Sequence, residues 1–170
     1  EERLVKAASL LDQCECAGLD INMGCSAPEI IRSGGGAAWM AREQEAIAMI
    51  SSVRAVCSHR LSVKLRLGWT DDYDALLSFC RKLEAEGIER ITLHPRTVKE
   101  KFKRKARWEV TGRLYDDLNI PVAGNGDIAS APDLVWRSEG PCAALMAGRA
   151  AVKMPWLFAE ARALQDKTNS

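Results

Sequence analysis

Amphipathic helical segments alternate with short apolar or β-branched runs along the whole chain, and this alternation limits the available folds more than any other feature. Apolar residues recur at helical spacing over 1–17, 41–57, 72–86, 109–117, 131–138 and 155–166. Strands that end at or run into a glycine or proline are predicted at 19–23, 61–67, 90–94, 120–124 and 143–147. A strand and a helix repeating every ~30 residues predict a parallel α/β sheet with right-handed crossovers.

Two architectures accommodate such a sheet: an open doubly wound sheet, or part of a (β/α)8 TIM barrel. Polar groups follow every predicted strand, from Asn22 and Cys25 after the first to Arg149 after the last. Functional groups at the carboxyl ends of all strands are typical of a barrel, whereas an open sheet concentrates them at one switch point. The triplet 34–36 is all glycine but lacks the GxGxxG spacing of a dinucleotide-binding loop. We therefore predict the barrel and keep the open sheet as the alternative.

The length of the chain predicts an incomplete barrel. A complete one needs about 250 residues, and this chain has 170. We expect a partial TIM barrel over 1–160, with the first strands outside this sequence, and a connection over 161–170 to a further C-terminal helical domain. No apolar run approaches the ~20 residues needed to cross a bilayer, so no membrane partner is expected.

Cysteine usage favours a reducing compartment. The six cysteines are spread along the chain, with no CxxC pair and no histidine at metal-ligand spacing, so we expect no metal site. Most are predicted to be small buried residues of a cytoplasmic protein. Cys25 differs because it follows a strand end and Gly24, which places its thiol at the mouth of the predicted barrel.

The second predicted strand alternates strictly between apolar and polar residues. Val63, Leu65 and Leu67 face one way, so Lys64 and Arg66 are expected to point into the barrel. A buried lysine needs an anionic partner. The alternative for Lys64 is a solvent-facing position at a sheet edge, and Arg66 could meet a substrate phosphate or pair within the core.

A basic stretch follows the third predicted strand. Between Arg96 and Trp108 only Glu100 is acidic, and Phe102 and Trp108 are interleaved with the cations. Its cations are Arg96, Lys99, Lys101, Lys103, Arg104, Lys105 and Arg107. A basic loop at the rim of a site suits a nucleic-acid backbone, where affinity is largely electrostatic. The alternative is a solvated lysine-rich loop with no partner.

Five segments of the chain resemble the tRNA-dihydrouridine synthases. Residues 22–28, NMGCSAP, followed by the glycines and alanines of 34–38, resemble the signature of that family. The other similar segments, in family order, are 63–68, 94–97 with Trp108, 121–128, and 146–150 with Pro155-Trp156. One such motif alone would be weakly specific. Five motifs in the order and spacing of the family, covering 1–160, make the resemblance strong. The chain departs from the family pattern at Ser26, Glu29 and Arg104.

The resemblance implies an enzyme that uses NADPH and FMN to reduce a uridine of tRNA to 5,6-dihydrouridine. It implies that Cys25 is the general acid that protonates C5 of the uracil, that Lys64 contacts the flavin ring, and that His94 contacts the flavin ring or the substrate base. Barrels commonly bind phosphate after their last two strands, and the residues implied there are Asn125, Gly126, Asp127, Gly148 and Arg149.

The resemblance also implies tRNA as the partner of a cytoplasmic protein that is monomeric at full length. The residues expected to contact substrate or RNA are Asn22, Arg66, Arg96, Lys99, Lys101, Lys103 and Arg104. Two other functions stay open from the residues alone. One is a non-catalytic RNA-binding fragment, and the other is a different FMN-dependent barrel oxidoreductase that acts on a small substrate.

Overall fold

A single parallel sheet of five strands carries the fold, and its strands lie side by side in the order of the chain. The computed structural model describes residues 2–168. The strands are β1 Leu19–Met23, β2 Leu61–Gly68, β3 Arg90–Thr97, β4 Val122–Asn125 and β5 Ala144–Met146. An open doubly wound sheet reverses its strand order at a switch point. The sequential order therefore identifies this sheet as part of a (β/α)8 barrel wall, as predicted.

Helices connect and flank the strands. They are α1 Glu2–Leu11, α2 Pro28–Arg32, α3 Glu43–Val56, α4 Tyr73–Ala85, α5 Trp108–Asp117, α6 Ala131–Ser138, α7 Arg149–Lys153 and α8 Leu157–Thr168. Capping side chains fix two of the starts: Asp72 accepts the N–H of Ala75 at 3.0 Å, and Ser130 accepts that of Asp133 at 3.4 Å. None of the helices within 2–168 is long and apolar enough to span a bilayer.

The alternation of β2 divides the molecule into a core side and a cavity side. Val63, Leu65 and Leu67 are buried in the main hydrophobic cluster, where they pack with residues of α3 and α4. Lys64 and Arg66 point to the opposite face, because successive side chains of a strand alternate, and they line a cavity there. The predicted orientation of this strand is confirmed.

The first helix is shorter than the sequence predicted. Apolar spacing extends to Cys14, but α1 ends at Leu11 and a turn follows, with Cys14 N–H donating to the Leu11 carbonyl at 3.0 Å. Cys14 and Cys16 therefore lie exposed, which corrects the expectation that they are buried. That expectation is confirmed for Cys57 and Cys80.

Strand β3 continues past the proline that was predicted to end it. Pro95 has no N–H to donate, yet β3 runs to Thr97 because the pairing with β2 shifts register between Arg66 and Gly68. The Pro95 carbonyl accepts the N–H of Arg107 at 3.0 Å. The extra residues carry Arg96 and Thr97 into the buried part of the strand end.

Three short helices were not predicted. Helix α2 begins with Pro28, whose fixed φ suits a first helical position, and a 3-10 helix spans Gly36–Ala41. Helix α7 precedes α8 after the last strand. Each is too short for apolar periodicity to reveal, so only the proline was a usable signal for α2.

Candidate functional site

A cavity of about 230 Å3 lies at the carboxyl ends of the strands. Each strand, or the turn after it, contributes to its wall: Gly24 after β1, Lys64 and Arg66 in β2, His94 in β3, Asn125 in β4 and Met146 in β5. The loops that follow β3, β4 and β5 add Phe102, Gly126, Asp127, Ile128, Gly148 and Arg149. The structure thus brings together at one cavity every residue that the sequence predicted to hold a cofactor.

Lys64 presents an ammonium group without a protein partner to this cavity. Within residues 2–168 no hydrogen bond or ion pair to it is found, and its side chain is only partly exposed. Burial lowers the pKa of Lys64, the charge of Arg66 lowers it further, and Asp20 and Cys25 oppose the shift. A cation held in this way favours an anionic or strongly accepting ligand.

His94 is fixed in one neutral tautomer by its two neighbours. Arg96 Nη1 lies 3.2 Å from His94 Nε2 and can only donate, so Nε2 accepts and the ring proton is on Nδ1. Nδ1 then donates to Asn125 Oδ1 at 3.0 Å, and Asn125 Nδ2 donates to the Met146 carbonyl at 2.7 Å. Burial lowers the pKa of His94 to about 4, which agrees with a neutral ring at neutral pH.

Arg96 is a wall residue rather than a surface cation. It is 3 % exposed, and its Nη2 binds both carboxylate oxygens of Asp127 at 2.6 and 2.8 Å. Its Nε donates to the Arg104 carbonyl and its Nη1 to His94, so all three nitrogens have partners. The sequence predicted that Arg96 contacts RNA; in the structure this residue is buried and each of its three nitrogens has a protein partner.

Arg66 joins the turn after β1 to the basic loop. The side chain is buried, its Nε donates to the Gly24 carbonyl at 3.0 Å, and its Nη1 donates to the carbonyls of Thr97 and Lys101 at 3.3 and 3.2 Å. Nε and Nη1 of Arg66 are therefore both used for contacts within the protein, which was one of the two roles considered for this residue.

Cys25 stands on a turn that three other residues hold in place. The Asn22 Oδ1 atom accepts the N–H groups of Gly24 and Cys25, both at 3.0 Å. The Ala37 N–H donates to the Cys25 carbonyl at 2.9 Å. Gly36 has a φ of 56°, and a Cβ there would lie 2.6 Å from that carbonyl oxygen, so only glycine fits. Cys25 is half-buried and directly follows Gly24. Gly24 is among the residues that line the cavity, and Cys25 is not.

The basic loop, residues 98–107, is built around one carboxylate. Arg107 donates to both oxygens of Glu100 at 2.9 Å, and the Thr97 N–H donates to the same side chain at 2.7 Å. The hydrogen bonds from Arg107 lower the pKa of Glu100 to about 2. The exposed cations of this loop are Lys99, Lys101, Lys103, Arg104 and Lys105. Of these, Arg104 reaches Glu100 at 3.7 Å, and no ion pair is found for the lysines within residues 2–168.

Phe102 stands over the cavity mouth, a position that the sequence did not reveal. It is 57 % exposed, yet its ring contacts His94 edge-to-face at 6.2 Å between centroids. The guanidinium carbons of Arg149 and Arg66 lie 4.6 and 5.6 Å from the ring centroid. Spacing alone gave no sign of this, because Arg66 of β2 and Arg149 of α7 are distant from Phe102 in the sequence.

Comparison with solved structures supports the fold. The chain is similar to dihydrodipicolinate synthase from Agrobacterium tumefaciens, with a TM-score of 0.64, 15 % identity and coverage of 94 % of this chain and 54 % of that one. It is also similar to a dihydroorotate dehydrogenase, DHODH from Eimeria tenella in complex with ferulenol, with a TM-score of 0.65, 10 % identity and coverage of 92 % and 51 %. At such identities the likeness concerns the fold alone.

Comparison of sequences identifies relatives over most of the chain. Residues 1–170 match the family described as dihydrouridine synthase (Dus). A probable tRNA-dihydrouridine synthase of Mycobacterium tuberculosis is 36 % identical over 163 residues, which are 93 % of this chain and 41 % of the relative. A tRNA-dihydrouridine(16) synthase of Cupriavidus necator is 33 % identical over 159 residues, or 90 % and 48 %. The chain thus spans less than half the length of these two relatives.

Proposed function

Because this chain belongs to the dihydrouridine synthase family, we propose that it forms the larger part of a site that reduces a uridine of tRNA to 5,6-dihydrouridine. NADPH is the source of reducing equivalents, FMN is the resident cofactor and Cys25 is the general acid. The observation that carries the proposal is the cavity itself, where a lysine without a protein partner, a neutral histidine and two glycine-containing turns converge.

The residues of the cavity fit an anionic flavin cofactor. Lys64, Arg66 and Arg149 line it, and its one carboxylate, Asp127, is already neutralised by Arg96. A Cβ placed on Gly148 would meet no atom within 4 Å, so the turn after β5 is open to a ligand. The volume of about 230 Å3 is below the ~300–1,000 Å3 of pockets that enclose a whole ligand. We infer that these residues form one side of the cofactor site.

Each cavity residue has a defined task in this proposal. Lys64 places its ammonium against the electron-rich edge of the flavin ring, and Nδ1 of His94 is held by Asn125. The turns at Gly126 and Gly148 bring backbone N–H groups to the phosphate, and Arg149 adds its guanidinium. Arg96 is a positioning residue, because it orients both His94 and Asp127.

The chemistry saturates the C5–C6 bond of uracil. When bound and reduced by NADPH, FMN would supply the hydride that C6 of the uracil accepts. The electron pair of the double bond then resides on C5, where the thiol of Cys25 donates its proton to form the second new C–H bond. The thiolate left behind recovers a proton from water. A thiol suits this step because it keeps a proton near neutral pH and releases it to a developing carbanion.

The substrate base has to leave the tRNA stack to reach the cavity. Asn22 lies beside Cys25 and uses only its oxygen to hold the turn, so its amide nitrogen is available to a uracil carbonyl. Phe102, exposed above the cavity, offers a ring on which a base can stack. Lys99, Lys101, Lys103 and Arg104 face solvent around it and supply charge for the phosphates.

Substitution of Cys25 tests the proposal. We expect Cys25→Ala to retain FMN, visible in the absorption spectrum, and to be reduced by NADPH, but to form dihydrouridine at least a hundredfold more slowly, since general acids contribute ~10²–10⁴-fold. Cys16→Ala removes an exposed thiol that precedes β1, whereas Cys25 follows that strand, and it serves as the matched control. Unchanged turnover in Cys25→Ala would contradict the assignment. A colourless protein that still binds tRNA would favour an RNA-binding fragment instead.

A further inference from the structure

We propose that the RNA-binding surface continues from the basic loop onto helix α6, where Arg137 binds a phosphate and Trp136 stacks with a base. This inference rests on the proposed function, because tRNA is the partner to which it applies. It goes further by fixing the direction in which the RNA strand leaves the cavity: over the loop after β3 and then across α6.

A cationic groove of about 430 Å3 connects the two elements. Lys103, Arg104 and Lys105 line it from the loop, and Arg137 lines it from α6. Its one acidic residue, Asp127, is already bound to Arg96. Phe102 and Asp127 line both this groove and the cavity, so the two adjoin. A chain of phosphates leaving the cavity would therefore meet cations without a break.

The guanidinium of Arg137 stacks on two indole rings, which leaves its N–H groups available to an anion. Its guanidinium carbon lies 4.4 Å from the centroid of Trp108 and 4.1 Å from that of Trp136. No ion pair to Arg137 is found within residues 2–168. The neighbouring carboxylate of Asp133 accepts the Ala129 N–H and the Ser130 hydroxyl instead. Stacking fixes the plane of the guanidinium while its N–H groups stay at the ring edge, which suits a phosphate.

Trp136 supplies the aromatic part of the surface. Its side chain is 61 % exposed, which is unusual for so large an apolar ring, and it lies next to Arg137 at the same end of α6. Single-stranded nucleic acid is typically bound by cationic grooves that also carry aromatic rings, because every base has a face that can stack. Phe102 lines this groove, whereas Trp136 lines the neighbouring cavity between α5 and α6, and Arg137 lines both. Phe102 and Trp136 would provide two such rings, with Trp136 reached where the groove meets that cavity.

The charges beyond Arg137 mark where the RNA surface ends. A second and larger cavity lies between α5 and α6, and Glu109, Asp116 and Glu139 are among its lining residues. These carboxylates would repel a phosphate backbone. Arg113 also lines this cavity, but it pairs with Asp74 and Asp117, both at 3.9 Å. Arg137 and Trp136 therefore lie at the boundary of the surface: within residues 2–168, lysines without an ion pair are found on the loop side, and the carboxylates line the cavity that Trp136 also lines.

Binding of unmodified tRNA to the purified FMN-bound protein at several salt concentrations tests this inference. We expect Arg137→Gln to bind tRNA about fivefold more weakly at low salt, with a dependence of log K on log[salt] that is shallower by about 0.7–0.9, the value of one lost phosphate contact. Trp136→Ala should weaken binding by a similar factor and leave the salt slope unchanged, because it removes stacking and no charge.

Arg113→Gln is the matched control. Arg113 also stacks on an aromatic ring, with its guanidinium carbon 3.7 Å from the centroid of Tyr73, but it is paired with carboxylates. We expect wild-type affinity and slope in this variant. Trp136→Ala, which keeps every charge, is the second test of the α6 surface if Arg137→Gln fails to fold.

Two results would overturn the inference. Wild-type affinity and slope in a folded, FMN-bound Arg137→Gln would remove α6 from the RNA surface and leave the proposed function intact. If Arg137→Gln does not fold, wild-type affinity in a folded, FMN-bound Trp136→Ala would have the same meaning. A wild-type protein that binds no tRNA at low salt would instead contradict the proposed function, and this inference with it.

Discussion

The stretch from Arg96 to Arg107 contains two groups of cations that look alike in sequence and differ in the structure. Arg96 and Arg107 point inward and bind Asp127 and Glu100. Lys99, Lys101, Lys103 and Lys105 point into solvent without an ion pair in the described part of the chain. One group builds the loop and the other is free to meet a ligand.

Structural cations therefore differ from candidate binding cations in this protein by whether they have a protein partner, and not by their charge. The same division holds in the cavity, where Arg66 donates to three backbone carbonyls while Lys64 has no hydrogen bond or ion pair within residues 2–168. A buried carboxylate partner or a set of carbonyls commits a guanidinium to the fold, because leaving such a partner unpaired costs free energy. Cations without such partners are therefore the candidates for phosphate and flavin contacts.

Arg96→Met should have the largest effect on stability. It leaves Asp127 without its cation and His94 without the donor that fixes its tautomer. We expect a loss of roughly 3 kcal/mol in the free energy of unfolding, at the low end for a broken buried ion pair because Asp127 is partly exposed. Urea denaturation of the apoprotein measures this, and a change below about 0.5 kcal/mol, as for a surface position, would place Arg96 with the binding cations.

Glu100→Gln should have a smaller effect that depends on pH. The pKa of Glu100 is lowered from 4.5 to about 2, chiefly by the hydrogen bonds from Arg107. Its carboxylate therefore stabilises the fold fully above pH 4.5, and this stabilisation is lost as the pH falls towards 2. We expect the variant to be less stable by about 1 kcal/mol at pH 7, the value of an ordinary hydrogen bond. The difference from the wild type should shrink below pH 4.5, and a difference constant down to pH 2 would rule out this pair.

The double substitution Lys103→Gln/Lys105→Gln should leave stability almost unchanged. Both side chains are exposed and unpaired, so the free energy of unfolding should stay within about 0.5 kcal/mol of the wild type. The binding of tRNA should weaken, with a salt slope shallower by about 1.4–1.8 for two lost phosphate contacts. An unfolding change as large as that of Glu100→Gln would break the distinction between the two groups of cations.

The sequence predicted the strands and the cavity better than it predicted the loops. Alternation in β2 was enough to orient Lys64, because strand periodicity is local and leaves only two choices of face. Polar groups at every strand end were enough to predict a barrel rather than an open sheet. The observed sequential strand order agrees with that prediction. These features need no knowledge of distant contacts.

The pairing of individual cations could not be predicted in this way. Arg96 meets Asp127 across 31 positions of the chain, and nothing local distinguishes it from Lys99. The position of Phe102 over the cavity depends likewise on Arg149, which another loop supplies. Gly36 stands in a run of three glycines, and nothing in the sequence reveals that the Cys25 carbonyl approaches this one so closely that a Cβ would not fit.

The FMN affinity of Lys64→Met tests most directly whether this cavity holds a flavin. We expect at least tenfold weaker FMN binding, measured by fluorescence titration of the apoprotein. The free energy of unfolding of that apoprotein should be unchanged or higher, since the variant removes a desolvated cation that has no partner. Lys6→Met, which removes an exposed lysine of α1, should bind FMN like the wild type. Wild-type FMN affinity in Lys64→Met would contradict the account.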